Sequence, residues 1–333
     1  LATRALISLL PPAIAVTGGS VVYKGKDVMS LPVRELRRLR GAEIGVVFQE
    51  PMTSLNPSMT IGRQLEEGLI LHTKLSPEER REKILDMLKR VGIRDPEGAL
   101  VAYPHEFSGG MRQRIMLASV MLLKPALLIA DEPTTALDVT IQAQILTIIR
   151  DLQKELGMAV IFITHDMGVV AEMADDVVVM WKGRKVEEGP VDEIFASPKH
   201  PYTQTLLSAV PKLGSMTGEE FPKRLPLTMM VDGEPKRVGE THIQRTARYD
   251  AAPILSVRDL VTRFDVRKNL FGKATHRVHA IENVSFDIFP GETLALVGES
   301  GSGKSTIGRT IQQLQSATSG EILFGGRPVS AMS

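Results

Sequence analysis

At 333 residues the chain is long enough for two ordinary domains, and 43% apolar with 24% charged residues supports real cores. A net charge of +1 removes any electrostatic case for nucleic acid, and the absence of cysteine excludes disulfides, cysteine-bound zinc and iron–sulfur clusters. No apolar run approaches the roughly 18 residues that span a bilayer, so membrane association is expected only through a partner.

In chain order, residues 1–10 read as a short apolar helix closed by Pro11 and Pro12. Residues 17–30, TGGSVVYKGKDVMS, read as strand and turn. The basic run 34–41 reads as a solvated helix face leading to a strand over 43–49 and a proline-broken loop. From Ile61 to Val91 the pattern is helical. Ser76, Pro77 and early glutamates mark a helix start, Ile84, Leu85, Leu88 and Val91 share one face, and Gly92 ends it.

The centre of the chain is Phe107–Asp138: FSGGMRQR, an apolar helix, then ALLIADEPTTALD. Leu127–Ala130 reads as a buried strand delivering Asp131 and Glu132 to the edge of a parallel sheet. An amphipathic helix over 139–156 follows, presenting Ile141, Ile145, Ile148, Ile149 and Leu152 inward. The strand AVIFITHD, a helix near 167–173 and the strand VVVMWKG complete an alternation that implies a mostly parallel sheet covered on both faces. After the tail EIFASPKHPYTQTLLSAVPKLG, residues 215–253 are polar and proline-broken, the pattern of a linker. Strand patterns resume over 254–264 and from Val284, with an apolar strand expected at Leu294–Val297. The segment from Thr318 matches that from Thr17 at an offset of 301 residues, with Thr, Gly, Gly and Val coinciding, which suggests a repeat of domain size.

Gly298, Glu299, Ser300, Gly301, Ser302, Gly303, Lys304, Ser305 and Thr306 form a P-loop pattern. Its glycines let backbone N–H groups turn inward around phosphate oxygens, Lys304 reaches the outer phosphates, and the Ser305 hydroxyl suits Mg²⁺. The neighbouring carboxylates Asp131 and Glu132 suit Mg²⁺ and an attacking water, respectively. By itself the P-loop leaves small-molecule kinases and GTPases open. Taken singly, Gln49, His165 and Asp138 read as a strand-end amide, a capping residue and a helix N-cap.

In this order and spacing the motifs resemble the ATPase cassette of ABC transporters, an α/β P-loop NTPase fold with a helical subdomain and a small antiparallel β region. The resemblance implies ATP and Mg²⁺ as ligands. It makes Ser108, Gly109 and Gly110 the cap on the γ-phosphate of an ATP held by a second cassette, with Met111 standing where many members carry Gln. It further makes Asp131 the metal carboxylate, Glu132 the general base, Gln49 a sensor of metal and water, His165 the switch contacting the γ-phosphate, and Asp138 part of the dimer-crossing loop. Phe264 is the expected adenine platform. EPMTSLNP after Gln49 and the tail SPKHPYTQTLLSAVP resemble the ATPases of oligopeptide and dipeptide importers, and the duplicated cassette narrows this toward glutathione. Two membrane-embedded permease subunits, and a periplasmic binding protein beyond them, are the implied partners, and the cytoplasmic face of the bacterial inner membrane the implied location.

Residues 1–214 are thus expected to form a first cassette lacking its P-loop, 215–253 a linker, and 254–333 the start of a second cassette. A competing arrangement closes one permuted cassette, with strand 294–297 filling the first sheet and Lys304 set beside Asp131. A soluble ABC ATPase of translation or DNA maintenance, and a non-catalytic fragment, remain the other functional alternatives.

Overall fold

The computed structural model describes residues 2–48, 54–135, 137–210, 214, 217–218, 223–224, 227–231, 234–238, 241–242, 246–268, 274–299 and 301–332. The chain divides into two compact units, one of residues 1–210 with 228–236, the other of residues 211–227 with 237–333.

The first unit opens with α1 (Ala2–Leu6) and the hairpin β1 (Val22–Tyr23)–β2 (Lys26–Asp27). Helix α2 (Val33–Arg38) leads to β3 (Ile44–Val47). The long helical stretch from Ile61 breaks into α3 (Ile61–His72) and α4 (Pro77–Arg90). The break is local chemistry: the Ser76 hydroxyl accepts the Glu79 N–H while Glu79 returns a bond to the Ser76 N–H, a reciprocal cap with proline in the first turn. Ile84, Leu88 and Val91 face the core as expected, joined by Met87. After α5 (Pro96–Val101) come α6 (Gly109–Met121), β4 (Leu127–Asp131), α7 (Val139–Leu156) and β5 (Ala159–Ile163).

Strands β3, β4 and β5 form a parallel sheet in that order, with Val47 opposite Ala130 and Asp131 opposite Ile163. The central strand has no free edge, so Leu128, Ile129 and Ala130 are fully buried. One face packs on α7 through Ile145, Ile149 and Leu152, and the same core runs on into α3, α4 and α6. The register carries Asp131 and Glu132 to the carboxyl end of the sheet, where open α/β sheets bind ligands. Helix α8 (Met167–Met173), the hairpin β6 (Asp176–Trp181)–β7 (Arg184–Pro190), α9 (Val191–Ala196) and α10 (Pro201–Ser208) follow. Tyr202 of α10 stacks on Trp181 at 5.5 Å between ring centroids, docking the tail on the hairpin. Within the stretch read as linker, β8 (Lys223–Arg224) pairs with β11 (Thr241–His242), and β9 (Leu227–Val231) with β10 (Glu234–Val238).

In the second unit, β12 (Leu255–Lys268) pairs with β13 (Ala274–Ile288) and with β14 (Ser319–Phe324), which turns into β15 (Arg327–Pro328). Helix α11 (Lys304–Ile311) packs Ile307 on this antiparallel sheet beside Val257, Leu260 and Ile281. The two matched segments fold alike: each is a tight hairpin running into a 3₁₀ turn, Val28–Ser30 in the first and Val329–Ala331 in the second. The strand expected at Leu294–Val297 does not form. Residues 292–299 belong to no strand, and Val297 is 91% exposed. A parallel strand exists only where a neighbour accepts its backbone hydrogen bonds, and the described strands of this unit are committed to antiparallel partners.

No helix among the described residues is long and apolar enough to cross a membrane.

Candidate active site

Asp131 is the last residue of β4, and its Oδ2 accepts the hydroxyl of Thr3 on α1 at 2.9 Å. Glu132 follows in the left-handed region at φ +48°, a conformation that costs a non-glycine residue free energy and clusters at functional sites. Its N–H bonds Ile163 O of β5 at 2.9 Å, so the sheet holds the kink in place. The carboxylate has two distinct partners: Oε2 accepts the Thr135 hydroxyl at 2.8 Å, and Oε1 lies 3.3 Å from His165 Nδ1. The His165 side chain is 76% exposed and that of Glu132 only 23%. The base candidate is thus seated in the protein while the ring reaches it from solvent.

Three capped helix starts lie on the same unit. Asp166 caps α8 through Gly168 N–H at 2.8 Å, Asp138 caps α7 through Ile141 N–H at 2.9 Å, and Ser108 caps α6 through Met111 N–H at 3.4 Å. The capping reading of Asp138 holds, while the residue capping α8 is Asp166 and not its neighbour His165. Gly109 is open on its outer side, whereas a Cβ on Gly110 would lie 2.7 Å from Ile141 Cγ2. The first N–H groups of α6 have no acceptor within the helix, as at any helix start.

The P-loop residues lie in the second unit. Gly301 and Gly303 take φ of +83° and +91°, and Gly303 caps α11, which opens at Lys304. A Cβ at Gly303 would lie 2.2 Å from Ala280 O, so only glycine fits. Lys304 Nζ donates to Gly298 O at 2.7 Å, Glu299 O at 2.6 Å and Ser302 Oγ at 3.1 Å, folding the lysine back across the loop. Ser305 is exposed and Thr306 half-buried on the first turn of α11. Phe264 is half-buried on β12 opposite Val278. Gln49 and Ser300 lie outside the described residues.

The structure therefore brings together Asp131, Glu132 and His165, with the Ser108–Gly110 helix start on the same unit. Reading the residues alone missed Thr3, Thr135 and Gln113, whose buried amide donates to Pro133 O at 2.5 Å. Of these only Thr135 left a local sign, a hydroxyl three residues beyond an acid within a proline-containing turn.

Residues 3–135 and 281–333 match the ABC transporter family model, more than half of the chain. The chain belongs to the ABC transporter family. Its fold is accordingly the P-loop NTPase cassette, and residues 186–232 also match the oligopeptide/dipeptide transporter C-terminal region. The glutathione import ATP-binding protein GsiA of Salmonella choleraesuis (strain SC-B67) is 54% identical over 299 residues, covering 90% of this chain and 48% of that protein. The protein of the same name from Escherichia coli O157:H7 is 52% identical over 313 residues, 93% of this chain and 50% of that protein. The chain thus spans about half the length of the curated relatives it matches. Among solved structures, a dimeric ATP-binding cassette in a post-hydrolysis state bound to ADP and Pi superimposes with TM-score 0.50 at 28% identity, covering 57% of this chain and 80% of that one. The cassette cbiO1 from Clostridium perfringens, part of the ABC transporter complex cbiONQ, gives TM-score 0.51 at 30% identity over 62% of this ABC chain and 77% of its own.

Proposed function

We propose that this chain is part of an ATP-binding, ATP-hydrolysing subunit that energises uptake of short peptides, glutathione among them, through an ABC importer. Residues 1–214 supply the body of one cassette with the importer tail, 215–253 the linker and 254–333 the P-loop end of a second. The observation that carries the reading is the pairing of a sheet-anchored carboxylate, Glu132, with the exposed His165 ring 3.3 Å away, directly after a second carboxylate on the strand end. That is the constellation required to hold a water against a terminal phosphate and to sense that phosphate.

In this mechanism Lys304 and the glycine-lined N–H groups of 298–306 grip the triphosphate, while Ser108, Gly109 and Gly110 of a facing cassette close over the γ-phosphate. At the nucleotide bound by its own cassette, Glu132 takes the proton of the attacking water, and His165 leaves Oε1 to contact the γ-phosphate. Asp131 is flanked by a hydroxyl oxygen, and with Gln49 it would offer oxygen donors of the kind Mg²⁺ prefers in its own cassette, as Ser305 would beside the P-loop of the second; when bound, such an ion would supply charge neutralisation on the phosphates. Gln49 also orients the water, and Phe264 stacks on adenine. ATP draws two cassettes together and hydrolysis releases them, a change of separation that two permease subunits convert into alternating access for substrate handed over by a periplasmic binding protein. The chain then works peripherally on the cytoplasmic face of the inner membrane.

The test is Glu132→Gln, read by phosphate release and by nucleotide binding. Turnover should fall at least about a hundredfold, leaving a small residual rate, with ATP binding retained; wild-type turnover in the variant overturns the assignment of the base.

A further inference from the structure

The two oxygens of Glu132 meet different partners. Oε1 faces His165, a ring on the loop after β5 that is three-quarters exposed. Oε2 is held by Thr135 at 2.8 Å from within the same turn, and the Thr135 N–H closes that turn on Glu132 O at 3.2 Å. The turn itself is tied down at both sides, by Glu132 N–H on Ile163 O and by Gln113 on Pro133 O. One oxygen therefore sits on a supported turn and the other beside an exposed ring.

We propose that Thr135 is a positioning residue for the hydrolytic step: its hydroxyl grips Oε2 so that Oε1 alone is presented to water when His165 moves away. This deepens the reading of Glu132 as general base and rests on it. Without the grip, a glutamate with three rotatable bonds spreads its carboxylate over several rotamers, and the basic oxygen is aimed correctly only part of the time. A donor that binds one carboxylate oxygen removes that freedom before substrate arrives, which lowers the barrier without strengthening ATP binding. The effect belongs in kcat rather than KM.

The experiment measures steady-state ATP hydrolysis by the full chain carrying Thr135→Val, Thr135→Ser, Glu132→Gln, and Thr135→Val with Glu132→Gln. Thr135→Val keeps the side-chain shape and loses the donor; it should lower kcat about tenfold with KM for ATP within twofold, the scale of one hydrogen bond to a charged group. Thr135→Ser should recover most of that loss. In the Glu132→Gln background, Thr135→Val should change residual turnover by less than twofold, because a residue acting through Glu132 has nothing left to position. Equal losses from Thr135→Val in both backgrounds, or a kcat within twofold of wild type, overturn the proposal while leaving Glu132 as base. Undiminished hydrolysis by Glu132→Gln overturns the base assignment itself.

Discussion

The side chain of Gln113, on the second turn of α6, donates to the carbonyl of Pro133 at 2.5 Å, entirely inside the protein. Ser108, Gly109 and Gly110 begin the same helix, and Pro133 lies next to Glu132. The two pieces of the candidate site on this unit are thus joined by one buried amide. Gln113→Leu fills the same space without the donor and takes a hydrogen bond from a buried carbonyl, at a cost of about 1–3 kcal/mol. Urea unfolding of the chain checks this, and a loss under about 0.5 kcal/mol rules out the link as a structural contributor.

Thr3 is 2% exposed and gives its hydroxyl to a carboxylate. Thr3→Val is isosteric but leaves Asp131 with one donor fewer, and should lower stability by about 1–2 kcal/mol. Thr3→Ser should recover most of it. Equal stability of the valine variant in denaturant titrations would show that water replaces the hydroxyl at no cost.

The adjacent glycines of the SGG segment should respond oppositely to alanine. At Gly109 a Cβ meets nothing within 4 Å, while at Gly110 it would meet the branched Ile141 side chain at 2.7 Å. Gly109→Ala should leave the melting temperature unchanged or slightly raised, and Gly110→Ala should cost about 1–3 kcal/mol through overpacking. Similar melting curves for the two variants contradict the packing of α6 against α7.

Gly303→Ala should abolish the P-loop as a phosphate cradle, since its φ of +91° and a Cβ 2.2 Å from Ala280 O leave no room. At least a tenfold loss of affinity is expected for a fluorescent ATP analogue, with the core of the first unit unaffected by circular dichroism. Unchanged affinity would mean that the loop does not hold the nucleotide.

On the second unit Arg263 grips Glu282 with two N–H groups at 2.7 and 2.8 Å, and with His279 this holds the carboxyl down to about 2 from an ordinary value of 4.5. A depressed carboxyl pKa stabilises the fold above the unfolded value, and that contribution fades as pH falls from about 4.5 toward 2. Glu282→Gln should flatten the acid dependence of unfolding in that window. A variant profile that overlays wild type between those limits would show the pair to be fully screened.

What the amino-acid sequence determined by itself is whatever neighbours along the chain decide. The Ser76 cap, the Ser108 and Asp138 helix starts, and the left-handed Gly301 and Gly303 of the P-loop are all settled within a few residues. The buried strand 127–130 is legible because a central parallel strand is apolar on both faces. Tertiary structure alone decided the rest. Thr3 reaches Asp131 across 128 residues and His165 reaches Glu132 across 33, and no local pattern encodes such a meeting. The run 294–297 shows the same limit from the other side. Its residues suit a strand, but a strand is a relation between two segments, and pattern in one of them cannot supply the hydrogen bonds of the other.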